Sequence, residues 1–313
     1  MKVYLPQDMD AAGKEYLIER GYEIKMGTGT TPEIMAKEIV DCDAVIVRVA
    51  QFPASVINAA PKLKVIGRHG VGTDNIDVAA ATARGIRVTN GPYSNTESVA
   101  EHAAGMILAL AHRIPLLNDA VREGNWGIRN SPIGMSDIKG KTLGLVGSGR
   151  IALSLAEKMH FGFGMKVITY GTRHPERLPE YVMMAASMES LFAEADVVSL
   201  HCPLTEETRL IVNAELLNRM KPTALLVNTA RGEVVDEMAL YEALKNKKIT
   251  GAAADVAAGE VMDKNHPLLT LDNFIVSPHC ASHTREGKIN MAVHAAMGVD
   301  EVLSGKEPTW PVN

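Results

Sequence analysis

The strongest constraint on this chain is a regular alternation of short apolar segments with longer helix-like segments. Strand-like runs such as "KVYL", "AVIVRV" and "TLGLVG" are separated by helical segments from one end of the sequence to the other. When a helix connects two consecutive strands, the strands lie parallel in one sheet. The sequence therefore predicts an α/β fold with parallel sheets.

The strand candidates fall into two series, and a length of 313 residues suits about two domains. The first series comprises "KVYL", "YEIKM", "AVIVRV", "LKVIGR" and "IRVTN". A long helical segment over 96–111 follows, and we expect His102 near its start to be structural. A second series begins at Lys141 with six strand candidates: "TLGLVG", "KVITY", "DVVSLH", "ALLVNT", "ITGAAAD" and "FIVSPH".

Composition and charge exclude several classes of partner. The formal net charge is −5, so the chain has no basic excess to attract nucleic acid or an anionic membrane. The longest apolar stretch, "AAGMILALA", is too short to span a bilayer. Cys42, Cys202 and Cys280 show neither disulfide nor metal spacing, and the N-terminus lacks a signal-peptide layout. We therefore expect no metal, no membrane partner and a cytoplasmic location.

A glycine-rich turn heads the second series. Gly147 and Gly149 directly follow an apolar strand and precede an apolar-periodic helix, and Ala152 takes the third position of a G-x-G-x-x-G/A pattern. Such glycines let the backbone approach a pyrophosphate, which the helix N-terminus then stabilises. A turn of this kind can also be purely structural, but its place at the head of a βαβ series favours dinucleotide binding.

The next strand, "KVITY", ends without the acid that NAD binding favours. A carboxylate there accepts hydrogen bonds from the ribose hydroxyls and repels a 2′-phosphate. This sequence has Gly171, Thr172 and Arg173 instead, and the nearest acid, Glu176, comes several residues later. Arginine binds phosphate bidentately, so the turn predicts a preference for NADP, with NAD also possible. The alternative is an exposed basic turn that binds no ligand.

Polar residues follow three later strand candidates, at the carboxyl ends where ligands gather in an open α/β sheet. They are Arg231, Asp255 with Glu260, and His279. An arginine can clamp a carboxylate and polarise a carbonyl, and a histidine with a carboxylate partner can exchange the proton of an alcohol. Each residue alone has a structural interpretation. Together, behind a dinucleotide turn, they indicate hydride-transfer chemistry.

These motifs resemble those of the D-isomer-specific 2-hydroxyacid dehydrogenases, in particular the phosphoglycerate dehydrogenase-like and hydroxypyruvate/glyoxylate reductase branch. The resemblance covers most of the chain in the family's order. The similar stretches are "GRHGVGTDNIDVAAATARGIRVTNGPYSNTESVAEHAAGMILALAHR", "GLVGSGRIA", "VSLHCPLTEETRLIVNAELLNRMKPTALLVNTARGEVVDEMAL" and "HPLLTLDNFIVSPHCAS".

The resemblance implies a role for each matching position. The implied catalytic residues are Arg231, Glu260 and His279, with His279 as the acid/base. The implied substrate-binding residues are Arg48, Val71, Gly72, Arg231 and His279. The implied cofactor-binding residues are Gly147, Gly149, Arg150, Ile151, Gly171, Thr172, Arg173, His201, Pro203, Thr208, Thr229, Asp255 and Ala281.

The resemblance also implies two Rossmann-like, doubly wound parallel-sheet domains with a cleft between them. A discontinuous substrate domain would comprise residues 1–96 and 285–313, and a dinucleotide-binding domain residues 97–284. The region over 100–140 is similar to the family's dimerisation arm, so we expect a homodimer. Trp126 lies in that arm, where it would pack in the interface or reach a neighbouring active site.

Three functions are the main candidates from the sequence. The leading one is an NADPH-preferring reductase of a small 2-keto acid, such as hydroxypyruvate or glyoxylate, to its D-2-hydroxy acid. The alternative is a D-3-phosphoglycerate dehydrogenase, for which Arg48, Arg68 and His69 are candidate phosphate-binding cations. A third, of another class, is a dinucleotide-sensing binding protein like the corepressors that share this fold. The complete set of implied catalytic residues argues against a sensor. A formate- or phosphite-type dehydrogenase of the same superfamily is a further possibility, and the Glu260–His279 pair argues against the formate type, which lacks that carboxylate partner.

Overall fold

The computed structural model describes residues 1–172 and 174–313. Within them the chain forms two compact units, each with its own sheet. Unit 1 comprises residues 1–98 and 282–313, and unit 2 comprises residues 99–281. The predicted α/β fold with parallel sheets is confirmed, whereas the assignment of the units as substrate and dinucleotide-binding domains stays a prediction.

The described residues form two parallel sheets. In unit 1 the strand order is β2-β1-β3-β4-β5, with β1 Lys2–Leu5, β2 Glu23–Met26, β3 Ala44–Val47, β4 Val65–Arg68 and β5 Arg87–Thr89. In unit 2 the order is β12-β11-β10-β9-β6-β7-β8, with β6 Thr142–Val146, β7 Lys166–Tyr170, β8 Val182–Met184, β9 Val197–Leu200, β10 Leu225–Asn228, β11 Gly251–Ala254 and β12 Phe274–Val276.

Helices connect these strands. They are α1 Ala11–Glu19, α2 Pro32–Glu38, α3 Ala54–Asn58, α4 Val78–Ala83, α5 Thr96–Ala111, α6 Ile114–Arg122, α7 Arg150–Glu157, α8 Met188–Glu194, α9 Ala214–Arg219, α10 Glu237–Lys245 and α11 Arg285–Leu303. Over the residues that the structure describes, none of them is long and apolar enough to cross a membrane.

The central strands are apolar because helices cover both faces of each sheet. Every residue of β3, β9, β10 and β11 is buried, as expected for parallel strands covered on both sides. The prediction of six strands in the second series was wrong, because it omitted β8. That strand has only three residues at the sheet edge. Its residues are apolar, but the run is too short to indicate a strand, and Met183 and Met184 are exposed in the structure.

A close helix contact holds unit 1 together. Helices α1 and α11 pack so tightly at Gly13 that an added Cβ would lie 2.7 Å from the carbonyl oxygen of Ala292. Real Cβ atoms do not approach backbone atoms so closely, so a larger residue forces the helices apart. Gly105 of α5 differs, since an added Cβ there meets nothing within 4 Å.

Substitution of these two glycines should therefore change stability in opposite directions. We expect Gly13→Ala to destabilise the protein by about 1–3 kcal/mol through overpacking. Gly105→Ala should stabilise it by about 0.5–1 kcal/mol, because alanine loses less backbone entropy in a helix. Thermal unfolding of both variants checks this, and a Gly13→Ala protein as stable as the parent would contradict the close contact.

Candidate active site

The candidate site lies at one edge of the seven-stranded sheet. The last residues of six strands stand level across the sheet, because Tyr170, Val146, Leu200, Asn228, Ala254 and Val276 are successive register partners. The next residue in each case is Gly171, Gly147, His201, Thr229, Asp255 or Ser277. Strand pairing therefore aligns five of the predicted site residues along one edge.

Glu260 and His279 form the hydrogen-bonded pair that the sequence predicted. Nδ1 of His279 lies 2.6 Å from Oε2 of Glu260. With Nδ1 facing the carboxylate, Nε2 is the ring nitrogen left to exchange a proton with a substrate. Both residues adopt left-handed backbone conformations, with φ of 51° at His279 and 69° at Glu260. Such conformations cost about 1–3 kcal/mol each and cluster at functional sites.

The carboxylate of Asp255 organises the loop that carries His279. Its Oδ1 accepts the Ser277 hydroxyl at 2.6 Å and the Cys280 N–H at 2.9 Å, and its Oδ2 accepts the Ala281 N–H at 2.8 Å. Asp255 is 1% exposed, so its charge is stabilised by these donors rather than by water. The predicted cofactor contacts of Asp255 and Ala281 stay predictions. The structure shows that Asp255, directly after β11, accepts the N–H of Ala281 in the His279 loop.

Arg231 follows β10 in a segment held tightly against the neighbouring loop. The amide of Asn228 donates to the Arg231 carbonyl at 2.8 Å, and Nη1 of Arg231 donates to the Ala230 carbonyl at 2.7 Å. At Gly232 an added Cβ would lie 2.0 Å from the carbonyl carbon of Ala257. Only glycine fits where the backbone at position 232 comes this close to Ala257. This contact places the Arg231 segment against the loop that leads to Glu260.

The glycine turn has the geometry expected of a pyrophosphate site. Gly147 has φ 95°, and its N–H donates to the Tyr170 carbonyl at 2.7 Å. Gly149 is the N-cap of α7 and has no side chain to cap it, and an added Cβ at Gly149 meets nothing within 4 Å among the described residues. This open space beside the helix N-terminus is what a bound anion would require.

The turn after β7 begins with Gly171 in a left-handed conformation, φ 85°. The Thr172 hydroxyl oxygen accepts the N–H of His174 at 3.2 Å. Glu176, the nearest acid, lies 3.2 Å from Nδ1 of His174 and 3.7 Å from Nε of Arg177. The prediction for Arg173 lies outside the described residues.

The remaining predicted cofactor residues line the ends of β9 and β10. Nε2 of His201 lies 2.9 Å from the Ser199 hydroxyl, and burial lowers the pKa of His201 to about 4. The Thr208 hydroxyl donates to the Pro203 carbonyl at 2.7 Å. The hydroxyl oxygen of Thr229 is buried and has no hydrogen-bond partner among the described residues, so it is available to a ligand.

The predicted substrate-binding residues of unit 1 follow β3 and β4. Nη1 of Arg48 donates to the Asp8 carbonyl. The Asn90 amide donates to the Val71 carbonyl at 2.8 Å, and Nε of Arg68 donates to the Gly72 carbonyl. These bonds hold the carbonyl groups of Val71 and Gly72. Among the described residues, the N–H groups of Val71 and Gly72 have no hydrogen-bond acceptor.

His69 does not fit its predicted role as a phosphate-binding cation. It is 8% exposed, and its burial, together with the nearby Arg48 and Arg68, lowers its pKa to about 3. A histidine with that pKa is neutral at physiological pH. A phosphate-binding role in unit 1 is therefore left to the two arginines.

Sequence reasoning missed the polar residues that support the site. His102 and Ser277 join the Asp255 network, and Asn90 holds the Val71 loop. His102 gave no functional signal, because it sits in an apolar helix 175 residues before its partner Ser277. Ser277 and Asn90 each come directly after or near a strand end, a position that could have drawn attention to them.

A glycine-rich turn at the head of a parallel sheet, with polar residues at the neighbouring strand ends, defines an NAD(P)-binding domain. Residues 104–281 match the family model for the D-isomer specific 2-hydroxyacid dehydrogenase NAD binding domain. The chain therefore belongs to the D-isomer specific 2-hydroxyacid dehydrogenase family of oxidoreductases, and the resemblance seen in the sequence is confirmed.

Individual relatives differ in their names and lengths. A glyoxylate reductase from Korarchaeum cryptofilum is 40% identical over 95% of this chain and 91% of its own length. A D-3-phosphoglycerate dehydrogenase from Archaeoglobus fulgidus is 38% identical over 97% of this chain, which spans 58% of that relative. A solved NADPH-dependent glyoxylate/hydroxypyruvate reductase from Sinorhizobium meliloti, in complex with NADP and malonate, matches with a TM-score of 0.89 at 29% identity, over 99% of this chain and 96% of that one.

Because His201 is neutral in the folded protein, we expect the folded protein to lose stability in acid. Because burial lowers its pKa from 6.5 to about 4, the unfolded chain binds the proton more readily, and stability falls as pH drops from about 6.5 to 4. This loss amounts to at most about 3 kcal/mol. The melting temperature of His201→Gln should fall less over this range than that of the parent, and parallel pH profiles would contradict the assignment.

Proposed function

We propose that this chain reduces a small 2-keto acid of the glyoxylate or hydroxypyruvate type to its D-2-hydroxy acid, with NADPH as the preferred cofactor. The observation that carries the proposal is the Glu260–His279 pair, 2.6 Å apart, next to the Arg231 segment in a dinucleotide-binding unit. An acid/base histidine, its carboxylate partner and a carboxylate-binding arginine are the groups that reduction of a 2-keto acid requires.

The described residues fit a dinucleotide. The uncapped N-terminus of α7 and the open space at Gly149 suit a pyrophosphate. The unpartnered hydroxyl of Thr229 supplies a further polar group at the same sheet edge. When bound, the cofactor supplies the hydride, and the chain positions the groups that act on the substrate.

The mechanism assigns one task to each member of the catalytic set. Arg231 binds the substrate carboxylate and polarises the carbonyl, which favours negative charge on its oxygen. Nε2 of His279 donates the proton that this oxygen takes up. Glu260 fixes the orientation of the imidazole through its contact with Nδ1. The N–H groups of Val71 and Gly72 are proposed to bind the substrate carboxylate.

The preference for NADPH follows from the turn after β7. Gly171 places no carboxylate where one would repel a 2′-phosphate, and Thr172 and Arg173 offer a hydroxyl and a guanidinium. The Sinorhizobium meliloti relative, named as NADPH-dependent and solved with NADP, supports the proposal. Initial rates at saturating NADPH and then NADH test it, and a higher kcat/KM with NADH would contradict it.

The alternative substrate class is a phosphorylated hydroxy acid, as in the relatives named D-3-phosphoglycerate dehydrogenase. Arg48 and Arg68 favour it, because both are cations at strand ends of unit 1 and lie close enough to His69 to lower its pKa. In the structure both donate to backbone carbonyls. Assays with glyoxylate, hydroxypyruvate and 3-phosphohydroxypyruvate decide between the two classes.

The binding-protein alternative makes a distinct prediction in the same assays. A dinucleotide sensor needs the glycine turn but has no need of the Glu260–His279 pair. Tight NADPH binding without turnover of any of the three keto acids would favour a sensor and contradict the proposed reductase. Turnover of 3-phosphohydroxypyruvate alone would favour the dehydrogenase.

We also propose that two copies of the chain form a cytoplasmic homodimer. The segment from α6 onward exposes Ile114, Val121, Trp126 and Met135, whose exposed fractions run from 38% to 66%. Apolar groups exposed along one segment are typical of an interface. The three cysteines are free thiols, which suits a reducing compartment. Sedimentation velocity tests the dimer, and a monomer at micromolar concentration would contradict it.

The acid/base assignment predicts a selective loss in His279→Gln. We expect turnover to fall by roughly 10²–10⁴-fold, because the glutamine amide cannot donate and recover the proton. Cofactor affinity should stay near the parental value. His112→Gln, just after α5, is the matched control and should retain activity. If His279→Gln turned over substrate at the parental rate, His279 would not be the acid/base residue.

The cofactor assignment predicts a selective loss in Arg173→Ala. The KM for NADPH should rise by about tenfold or more, because a charge-assisted bond to the 2′-phosphate is lost, while the KM for NADH should stay near the parental value. Arg177→Ala, an exposed arginine of the same turn, is the control. Equal losses with both cofactors would count against a 2′-phosphate contact.

A further inference from the structure

Behind the His279 loop, the Asp255 network extends to a histidine that the proposed reaction does not require. Nε2 of His102, in α5, lies 3.0 Å from the hydroxyl oxygen of Ser277. Ser277 donates its one hydroxyl proton to Oδ1 of Asp255, at 2.6 Å. A hydroxyl has a single proton to give, so the Ser277 oxygen accepts from His102. The network therefore assigns the proton to Nε2 of His102.

The network continues from Asp255 to the backbone beyond His279. Asp255 accepts the N–H groups of Cys280 and Ala281, at 2.9 and 2.8 Å. These are the two residues that directly follow His279. Hydrogen bonds thus run without a break from α5 through Ser277 and Asp255 to the chain that carries the acid/base residue.

This chain of hydrogen bonds reaches the His279 loop next to a residue with a strained backbone. His279 holds φ at 51°, a conformation that a non-glycine residue keeps only when its surroundings impose it. The direction of the imidazole toward Glu260 depends on that conformation. Because His102 donates to the Ser277 oxygen, the Ser277 hydroxyl becomes a stronger donor to Oδ1 of Asp255. That bond fixes the orientation in which the carboxylate accepts the two N–H groups.

We propose that His102 is a positioning residue, which acts through Ser277 and Asp255 to hold the His279 loop in its reactive conformation. The expected effect on kcat rests on the proposed function. The expected effect of His102 on the conformation of the His279 loop does not depend on that function. Packing is the alternative role, because the His102 side chain is only 29% exposed, and the variants below separate packing from hydrogen bonding. The distance from Nε2 of His102 to Oδ1 of Asp255 is 3.7 Å, so Ser277 is the link.

The test compares three variants by turnover, by cofactor affinity and by amide hydrogen exchange of a peptide that covers residues 277–281. His102→Leu removes the ring nitrogen, and His102→Gln restores a side-chain N–H donor of similar reach. His112→Leu alters a histidine just beyond the same helix and is the control. Each variant is measured in the full chain with glyoxylate or hydroxypyruvate and NADPH.

We expect kcat of His102→Leu to fall by about 10–100-fold, since small misplacements of a catalytic group have effects of that size. Any change in NADPH affinity should be smaller than the change in kcat, and the amides of Cys280 and Ala281 should exchange faster. His102→Gln should recover most of the rate and the protection, and His112→Leu should match the parent. Unchanged exchange in His102→Leu, or faster exchange in both leucine variants, would overturn the proposal.

A double-mutant cycle separates the path from independent effects. If His102 acts through Ser277, the substitution His102→Leu should change exchange and kcat little in a Ser277→Ala background. Additive effects would overturn the path. A parent protein that reduces none of the keto acids would refute the proposed function, and the exchange comparison would still decide whether His102 positions the loop.

Discussion

The parallel register of the seven-stranded sheet is the constraint on which the rest of unit 2 depends. Val146, Leu200, Asn228 and Ala254 are partners across three neighbouring ladders, so their strands end level. A slip of one residue in any ladder would move the next side chain to the other face of the sheet. The glycine turn, the Arg231 segment and the His279 loop therefore meet because hydrogen bonds between buried strands fix where each loop begins.

Much of this arrangement was predictable because it follows from local sequence. Apolar runs mark the buried strands, and the polar residue after each run marks its carboxyl end. Arg231 and Asp255 were proposed as site residues in this way. The same logic failed for β8, because Val182–Met184 is an edge strand of only three residues. Such a short apolar run does not indicate a strand, and its two methionines are exposed.

The predicted pair of Glu260 and His279 shows where sequence reasoning stops. The residue types indicated the chemistry, but nothing in them predicts that both adopt left-handed backbone conformations. Directly after His279, the buried carboxylate of Asp255 accepts the N–H groups of Cys280 and Ala281, and these groups come together only in the folded sheet. His102 lies 175 residues before Ser277, so its contact is a product of tertiary structure and leaves no local pattern.

The conformation of Gly171 adds a backbone component to the proposed choice of cofactor. An added Cβ at this position would lie 3.8 Å from the Gly147 nitrogen, so there is space for a side chain. The obstacle is φ of 85°, which costs an L-residue roughly 1–2 kcal/mol. A carboxylate hydrogen bond to a ribose hydroxyl contributes about 1.5–3 kcal/mol. If the turn of such a variant relaxed its backbone without the cofactor, binding would have to restore the strained conformation, and the strain would offset much of that gain. An acid at position 171 would therefore gain its full affinity for NAD only if the turn also adopted a different backbone conformation. Both the missing charge and the backbone conformation of this turn thus disfavour NAD relative to NADP.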